Sequence, residues 1–219
     1  MAEFVLYNYF RSSTSYRARI ALNLKGIAFD YKPINLLKNE QHSPEYKKIN
    51  PIGGIPTLLH NGKIIPDSMA IIQYLNDVIP TPAFLPKDPY LKARVIQTSE
   101  IINSSLHPMS NLRVLQYFEK TLGYSQEKKE EWIGHWSAVG LSALEENLTA
   151  FSGTYSFGDE ITMTDILLVP HIMTSLRFKV DMSKYPTLLK INENCLKLEA
   201  FAKAHPFKQI DTPEEFKGK

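Results

Sequence analysis

The fold is decided by residues 56–66, which read PTLLHNGKIIP and place Asn61-Gly62 between two short apolar runs. An Asn-Gly pair in this setting is the strongest short-range signal for a two-residue β-hairpin, and it requires antiparallel strands. The chain before it has a different pattern. Residues 4–9 have the aromatic and β-branched content of a strand, residues 15–25 show helical spacing of apolar residues, and residues 28–35 are again extended. These segments predict a β-α-β unit with parallel strands and a right-handed crossover.

The elements that follow first complete this α/β layer and then, beyond a linker, are helical. A short helix is expected at residues 44–49, and a helix capped by Ser68 runs to about Val78, which completes the β-α-β-α-β-β-α order of a thioredoxin-like layer. Proline-rich segments at 80–82 and 85–89 mark a linker. Apolar spacing beyond it is helical at 91–119, 127–148, 163–178 and 188–204, and Thr162-Met-Thr-Asp165 predicts a capping box. We predict an α/β thioredoxin-like N-terminal domain at 1–80 and an all-α C-terminal domain at 89–219.

Composition narrows the classes of function. The formal net charge is only +2, with 22% charged residues, so no nucleic-acid footprint or polybasic membrane patch is expected. No apolar stretch is long enough to cross a bilayer. The single cysteine, Cys195, rules out an internal disulfide and any CxxC metal or redox motif, and we expect it to be buried and inert. We therefore expect a soluble, cytoplasmic protein that has no metal site.

A cluster of hydroxyl side chains lies between the first strand and the first helix, where residues 11–17 read RSSTSYR. The start of a helix presents unpaired N–H groups and the positive end of the helix dipole, so it favours an anion. Ser12, Ser13 and Thr14 are the candidates to stabilise that anion. The residues alone are equally consistent with one serine that caps the helix while the others are solvated.

Two further segments flank the hairpin. Residues 50–57, NPIGGIPT, contain the Ile55-Pro56 bond, and a cis isomer there would leave the Ile55 backbone free to pair with an extended peptide. An ordinary trans bond is the commoner state, and the sequence does not show which isomer is present. After the hairpin, Asp67 could pair with an ammonium group, while Ser68 could offer its hydroxyl and N–H to a carboxylate. Taken alone, this pair is more typical of helix capping.

The chain resembles a known family along most of its length. The segments SSTSYRARIALNLKGI, NPIGGIPTL, PDSMAIIQYL and FGDEITMTDILLVP look like the zeta class of glutathione transferases. IINSSLHPMSNLRVL, RFKVDMSKYPTLLKIN and the tail AFAKAHPFKQIDTPEEF are similar to the isomerases of that class, and the likeness runs from Leu6 to Glu215. This resemblance implies the glutathione transferase fold, glutathione as the cofactor and a homodimer.

The resemblance also implies roles for the candidate residues. It places Ser12 and Ser13 against the glutathione sulfur, pairs Ile55 with the cysteinyl backbone, and assigns the γ-glutamyl end to Asp67 and Ser68. These assignments agree with the hydrogen-bonding chemistry of each residue. The resemblance thereby favours the binding interpretation of each residue over the capping one.

On the substrate side, the resemblance implies a dicarboxylate that is held by arginine. It places Arg177 in the substrate pocket as a catalytic and substrate-binding residue, although its position near a helix C-terminus alone would indicate dipole compensation. Arg11 and Arg113 are further candidates for carboxylate binding, and both are equally consistent with surface charges. His107 matches a position that lines the same cleft, where we expect it to contact glutathione, with a half-buried polar contact as the alternative.

The activity that the resemblance implies is the glutathione-dependent cis–trans isomerisation of maleylacetoacetate to fumarylacetoacetate, a step of tyrosine and phenylalanine catabolism. Two positions depart from the family pattern: Thr14 replaces the usual cysteine, and Asp67 replaces the usual glutamine. Family members that act on maleylpyruvate share threonine and the histidine of the His107-Pro motif, so a maleylpyruvate isomerase is the nearest alternative. A general detoxifying glutathione transferase and a binding module that no longer activates the thiol are the others.

Overall fold

The structure, a computed structural model, describes residues 3–217, which form two compact units. The first unit takes in the chain up to Ala83 and again from Lys197, and the second runs from Phe84 to Leu196. This division differs from the sequence-based ranges of 1–80 and 89–219. The C-terminal segment returns to the α/β unit, because its helix packs against the first helix of the chain.

The first unit has the predicted thioredoxin-like layer. Its elements are β1 (Phe4–Asn8), α1 (Ser13–Leu24), β2 (Asp30–Pro33), α2 (Pro44–Ile49), β3 (Thr57–His60), β4 (Lys63–Pro66) and α3 (Ser68–Val78). β1 pairs in parallel with β2 and antiparallel with β3, and the strand order is β2-β1-β3-β4. β3 and β4 form the predicted hairpin, in which Asn61 and Gly62 both have positive φ angles. The fold class predicted for this part is confirmed.

Helices α1 and α3 pack against each other beside this sheet. Fully buried aliphatic side chains of the unit come from the sheet and from both helices, among them Leu6, Leu58, Ile20, Leu22, Ile71 and Ile72. Because these residues recur at strand and helix spacing, burying them holds the start of α1 beside the end of β1. The start of α1 is therefore held on a packed scaffold.

The second unit is helical, as predicted. Its helices are α4 (Pro89–Glu100), α5 (Leu112–Lys120), α6 (Gln126–Phe151), α7 (Met163–Arg177) and α8 (Pro186–Leu196). The single helix expected at 91–119 was wrong, because a π-helical turn (Ile101–Leu106) and a 3-10 turn (His107–Ser110) interrupt it. Pro108 lies in the second turn, where its missing N–H ends regular α-helical bonding. The helix expected at 188–204 is also two, since α8 ends at Leu196 and α9 (Glu199–Ala204) lies in the first unit.

The predicted capping box at the start of α7 is present. The Asp165 carboxylate accepts the Thr162 N–H at 2.8 Å and the Ser156 N–H at 2.8 Å.

Cys195 is fully buried, and burial raises the pKa of its thiol, so it has the inert character that was expected. Within residues 3–217 no helix combines the length and apolarity that a membrane span requires. The same residues hold no group of three or more His, Cys, Asp or Glu side chains that could bind a metal ion.

Candidate active site

The hydroxyl cluster lies at the start of α1. Ser12 is the N-cap, because its Oγ accepts the Ser15 N–H at 3.2 Å, and Ser13 is the first helical residue. The N–H groups of Ser13 and Thr14 have no acceptor within the helix, and no other backbone acceptor for them is present in residues 3–217. All three hydroxyl side chains are half-buried. This helix start therefore presents two N–H donors at the positive end of the helix dipole.

The three hydroxyls are not equivalent as donors. The single hydrogen of the Thr14 hydroxyl is donated to the Ile55 carbonyl at 3.0 Å. The Thr14 Oγ1 must then accept the hydrogen of Ser12, whose Oγ lies 2.9 Å away. No hydrogen bond from the Ser13 hydroxyl is found within the described part of the chain, so this group is available to an incoming ligand. Ser12 must rotate away from Thr14 to donate elsewhere.

Ile55 lies in a loop that side chains from α2 and β3 hold in place. Tyr46 Oη donates to the Gly54 carbonyl at 2.6 Å, and Asn50 Nδ2 donates to the same carbonyl at 3.0 Å. Thr57 Oγ1 accepts from Asn50 at 3.2 Å and lies 3.0 Å from Tyr46 Oη. Burial raises the pKa of Tyr46 to about 12, so its hydroxyl stays protonated near neutral pH. Two side-chain donors thus fix the Gly54 carbonyl, which directly precedes Ile55.

This loop is tied to both neighbouring helices. The Ile55-Pro56 peptide is cis, and the Ile55 carbonyl accepts from Thr14 at the start of α1. The Pro56 carbonyl accepts the Asp67 N–H at 3.1 Å, directly before α3. Gly53 has a φ of +68°, and a Cβ there would lie 2.7 Å from the Gln41 carbonyl oxygen, so the loop requires glycine at this position. The segment that carries Ile55 therefore joins the starts of α1 and α3.

The start of α3 is a second helix N-terminus with an available hydroxyl. Asp67, rather than Ser68, occupies the N-cap position, and its carboxylate caps no backbone N–H of the helix. Its φ of +68° is unusual for a residue other than glycine, a kind of local strain that clusters at functional sites. Ser68 is the first helical residue and is buried, and its Oγ accepts from Arg17 Nη1 at 3.4 Å. Because that bond uses an Oγ lone pair, the Ser68 hydrogen can be donated to a carboxylate.

The remaining candidate of the first unit, Arg11, is half-buried in the loop before α1. Burial raises the pKa of Tyr9, and the charge of Arg11 opposes that rise, so the guanidinium acts on the side chain two positions before it. The structure thus brings Arg11, Ser12, Ser13 and Thr14 together at one helix start.

The other candidates lie in the second unit. His107 and Arg113 are joined through Asn111: its Nδ2 donates to His107 Nε2 at 3.2 Å, and its Oδ1 accepts the Arg113 N–H at 3.1 Å. His107 Nε2 is therefore an acceptor, which places the proton of a neutral ring on Nδ1. Gly140 of α6 keeps this segment close to α6, because a Cβ there would lie 2.3 Å from Leu106 Cδ2.

Arg177 is the last residue of α7, and it is exposed. Its guanidinium lies over the Phe178 ring, 4.7 Å from the ring centroid. The position at a helix C-terminus agrees with dipole compensation, and an exposed guanidinium can also bind a carboxylate. The local geometry is compatible with both interpretations that the sequence allowed.

Sequence reasoning missed three kinds of residue in the first unit. Arg17 and Arg19 are fully buried on α1, although charged residues on a helix are normally exposed. Tyr46 and Asn50 donate hydrogen bonds to the Gly54 carbonyl, and no local sequence pattern indicated this role. Asp211, which accepts the Phe10 N–H at 3.0 Å, lies 201 residues away from it in the chain. For the two arginines, the available signal was their position among the buried, apolar-spaced residues of α1.

The fold and this site define a class of protein. A thioredoxin-like layer in which serines open the first helix, together with a helical unit, is the organisation of the glutathione transferases. A family model described as the N-terminal domain of glutathione S-transferase matches residues 2–77.

Comparisons with whole chains define the class more closely. Maleylacetoacetate isomerase from Rattus norvegicus is 44% identical over 215 residues, which cover 97% of this chain and 97% of the rat protein. A bacterial maleylpyruvate isomerase of the zeta class, solved in its holo form, has a TM-score of 0.93 at 38% identity and covers 95% of this chain and 100% of its own. Maleylacetoacetate isomerase from Methylobacterium extorquens AM1, with bound malonate and glutathione, has a TM-score of 0.92 at 32% identity, over 95% and 99% of the two chains. This chain belongs to the zeta class of the glutathione transferases.

Proposed function

We propose that this protein is an enzyme that uses glutathione to convert maleylacetoacetate to fumarylacetoacetate by cis–trans isomerisation. The observation that carries the proposal is the start of α1, where the N–H groups of Ser13 and Thr14 have no backbone acceptor among residues 3–217 and the half-buried Ser13 hydroxyl lies at the same helix end. A thiolate is the anion that such a site would stabilise in a zeta-class transferase.

The first unit offers separate partners for each part of glutathione. The donors of Ser12 and Ser13 suit the sulfur, and the Ile55 backbone suits the cysteinyl peptide groups. The buried Ser68 hydroxyl, with the Arg17 guanidinium behind it, suits the γ-glutamyl carboxylate, and the exposed Asp67 carboxylate suits the γ-glutamyl ammonium group. Hydrogen bonds from Thr14 to the Ile55 carbonyl and from the Asp67 N–H to the Pro56 carbonyl connect these residues, so their relative positions are fixed. The residues present therefore fit glutathione.

Glutathione, when bound, supplies a thiolate that adds reversibly to the conjugated double bond, which permits rotation about that bond. The task of the protein is to keep the sulfur ionised. A free thiol has a pKa of about 8.5, and a helix N-terminus can lower it to roughly 3.5–7.5. The N–H groups of Ser13 and Thr14 and the Ser13 hydroxyl would supply this effect. Ser12 would add its hydrogen by rotating from Thr14 toward the sulfur, because an anion is a stronger acceptor than a hydroxyl.

Arginines would hold the dicarboxylate substrate. We assign this role to Arg177, Arg113 and Arg11, because a planar guanidinium binds a carboxylate in a bidentate manner and keeps its charge at every relevant pH. Arg177 would also stabilise negative charge that develops on the keto oxygen. His107, whose Nε2 accepts a hydrogen bond from Asn111, would contact glutathione. Malonate, a small dicarboxylate, accompanies glutathione in the Methylobacterium relative, which supports this assignment.

The test is incubation of the protein with maleylacetoacetate in the presence and absence of glutathione, with formation of fumarylacetoacetate as the readout. We expect turnover only with glutathione. A glutathione-independent reaction, or no reaction, would overturn the proposal. A pH titration of bound glutathione by thiolate absorbance separates an enzyme from a binding module, since a binding module would leave the thiol pKa at its value in solution.

A second candidate substrate is maleylpyruvate. Thr14 and His107 favour it, and so does the similarity to a solved maleylpyruvate isomerase. Comparison of kcat/KM for the two substrates under equal conditions decides between them. Side activity toward haloacids and other electrophiles is expected from the same thiolate.

We further propose a homodimer in the cytoplasm. A reducing compartment suits a chain whose single cysteine is buried, and the zeta-class relationship supports dimerisation. Sedimentation equilibrium would give the mass of the assembly.

A further inference from the structure

The two residues before the hydroxyl cluster are held by hydrogen bonds from outside the sheet. The Tyr9 carbonyl accepts the Ser12 N–H at 3.1 Å and Arg19 Nη1 at 3.3 Å. The Phe10 carbonyl accepts Arg19 Nη2 at 2.9 Å, and the Phe10 N–H donates to Asp211 Oδ2 at 3.0 Å. Both polar backbone groups of Phe10 are thus bound by charged side chains. The direction in which the chain enters α1 depends on these bonds.

Arg19 connects this loop to the end of the chain. It is fully buried, and its remaining hydrogen bonds go to Asn8 Oδ1 at 2.9 Å and to the Ala204 carbonyl at 3.0 Å. Burial lowers the pKa of Arg19 to about 10, so the guanidinium is still charged near neutral pH, and Asp211 is among the groups that favour the charged form. One guanidinium therefore holds β1, the loop and α9 in fixed relative positions.

The segment that contains Asp211 forms a compact structure, which we call the C-terminal clasp and define as residues 199–216. It contains α9 and two 3-10 turns, Pro206–Lys208 and Glu214–Phe216. Hydrogen bonds from Asn23 to the Ala200 carbonyl, at 3.0 Å, and from Tyr16 to the Phe201 carbonyl, at 3.4 Å, hold the clasp on α1.

Within the clasp, Thr212 Oγ1 donates to the Pro206 carbonyl at 2.8 Å, and the rings of Phe207 and Phe216 stack 5.5 Å apart. The ring of Phe10 lies 6.3 Å from that of Phe216. Tyr31 at β2 also donates to Asp211, and burial together with this bond raises the pKa of its phenol. The Asp211 carboxylate is therefore fixed on two sides, by Tyr31 and by Phe10.

We propose that the C-terminal clasp is a positioning element for thiol activation, in which Asp211 and Arg19 set the Tyr9–Phe10 backbone and thereby the donors at the start of α1. This inference rests on the proposed function, because it concerns the same sulfur site. The physical reason is geometric: donors act on an anion only when they point at it, and a small displacement of them costs a large factor in rate. Residues 12–14 bind the sulfur, and the clasp determines where those residues lie.

The test uses Asp211→Asn in the full-length protein. Asparagine carries no charge, and its Nδ2 can only donate, so Tyr31 can keep its contact there only as an acceptor, and the Phe10 N–H keeps at most a neutral hydrogen bond in place of a charge-assisted one. Asp211 is half-exposed, so the variant should fold. In the ligand-free protein we expect the Phe10 amide to exchange its hydrogen about three- to tenfold faster, because its hydrogen bond to a carboxylate becomes a weaker one to a neutral amide. In the glutathione complex we expect the thiol pKa to rise by about half a unit and kcat/KM near neutral pH to fall about three- to tenfold.

The matched control is Asp159→Asn in the second unit. Asp159 also accepts one backbone N–H and one hydroxyl, from Thr154, at 3.0 Å and 2.6 Å. This variant should keep the wild-type thiol pKa and exchange rate. General loss of stability would lower the folded fraction, but it would not move the thiol pKa of the folded complex. A second variant, Tyr31→Phe, removes only the other bond of Asp211 and should produce a smaller shift in the same direction.

The outcomes separate this inference from the proposed function. If wild-type protein does not lower the thiol pKa, the proposed function fails, and the Phe10 exchange rate still shows whether Asp211 holds the loop. If the wild type lowers the pKa and Asp211→Asn does so equally, the clasp has no positioning role in thiol activation and the inference is overturned, whatever the Phe10 exchange rate. Weaker glutathione binding with an unchanged thiol pKa would overturn it as well.

Discussion

Thr14→Val tests the hydroxyl arrangement at the start of α1 most directly. Valine replaces the hydroxyl with a methyl group of similar size, so the variant loses two hydrogen bonds and little packing: the one that Thr14 donates to the Ile55 carbonyl at 3.0 Å and the one that it accepts from Ser12 at 2.9 Å. The first bond holds the Ile55 loop against α1. The second takes the Ser12 hydrogen away from any ligand.

The expected magnitudes follow from these two bonds. Each hydrogen bond contributes about 0.5–1.5 kcal/mol net, and both sites are half-buried, so water can compensate in part. We expect a loss of about 1–2 kcal/mol, which corresponds to a fall in Tm of roughly 2–8 °C for a chain of this length. A loosened Ile55 loop should weaken glutathione binding about three- to tenfold. The thiol pKa of bound glutathione should stay equal or fall, because Ser12 then has no competing acceptor within reach.

The assay combines a thermal scan, calorimetric titration with glutathione and a thiolate absorbance titration of the complex. Thr14→Ser is the matched control, because it keeps the hydroxyl and should retain wild-type affinity within about threefold. Weaker binding without a rise in the thiol pKa would separate the role of Thr14 from that of Ser12. A rise of the pKa by half a unit or more would refute the inferred bond directions, and so would unchanged Tm together with unchanged affinity.

Three further variants have distinct expected results. Ser12→Ala should raise the thiol pKa of bound glutathione, because the Ser12 hydroxyl can no longer donate to the sulfur. It should also destabilise the protein by about 0.5–2 kcal/mol, because the Ser15 N–H loses its cap. A thiol pKa equal to that of the wild type would contradict the proposed role of Ser12. Arg177→Ala should lower kcat/KM for the dicarboxylate at least about tenfold, the effect of one lost charge-assisted bond, while the thiol titration stays unchanged; wild-type kinetics would remove Arg177 from the substrate site. Tyr46→Phe should change the alkaline stability profile. Since burial raises the pKa of Tyr46 from 10.0 to about 12, its contribution is complete below pH 10 and is lost as the pH rises to about 12. The variant should be less stable below pH 10 and should show a shallower decline above it in denaturant titrations; an identical slope would contradict the assignment.

The parts of the fold that were predictable are those with local causes. Asn61-Gly62 specifies a turn through the φ angles that these residues accept, and the capping box at Thr162 specifies a helix start through two neighbouring side chains. The break near Pro108 had only a weak signal in the sequence, because a proline lacks the N–H of regular α-helical bonding but Pro170 lies inside α7 without ending it. The position of α9 could not be predicted from the sequence. Apolar spacing identifies a buried helix face, but not the layer against which it packs, and α9 lies on α1, far away in the chain.

In the candidate site, too, the features with local causes could be predicted and those that depend on long-range contacts could not. The N–H groups without acceptors at residues 13 and 14 follow from the structure of any helix start, so the sequence could indicate this place as a candidate anion site. The bond from Thr14 to the Ile55 carbonyl joins residues 41 positions apart, and the direction of the Ser12 hydrogen depends on that bond. Which hydroxyl donates to which acceptor could therefore be determined only from the structure, in which the Ile55 loop lies against the start of α1. The cis isomer at Ile55-Pro56 likewise had to be observed, since the sequence allows both isomers.

Under the proposed function, thiol activation in this chain depends on contacts beyond the motif that indicates it. The motif of residues 11–17 contains the groups that would bind sulfur, yet the Phe10 backbone before it is held by Arg19 and by Asp211. If the motif alone were sufficient, its transfer to another thioredoxin-like domain would transfer a lowered thiol pKa. Because a helix start stabilises an anion only within about the first turn, a change in the entry angle of the chain moves the sulfur out of reach of the donors. On this inference the serines and the C-terminal clasp form one functional unit, and both determine the acidity of the bound thiol.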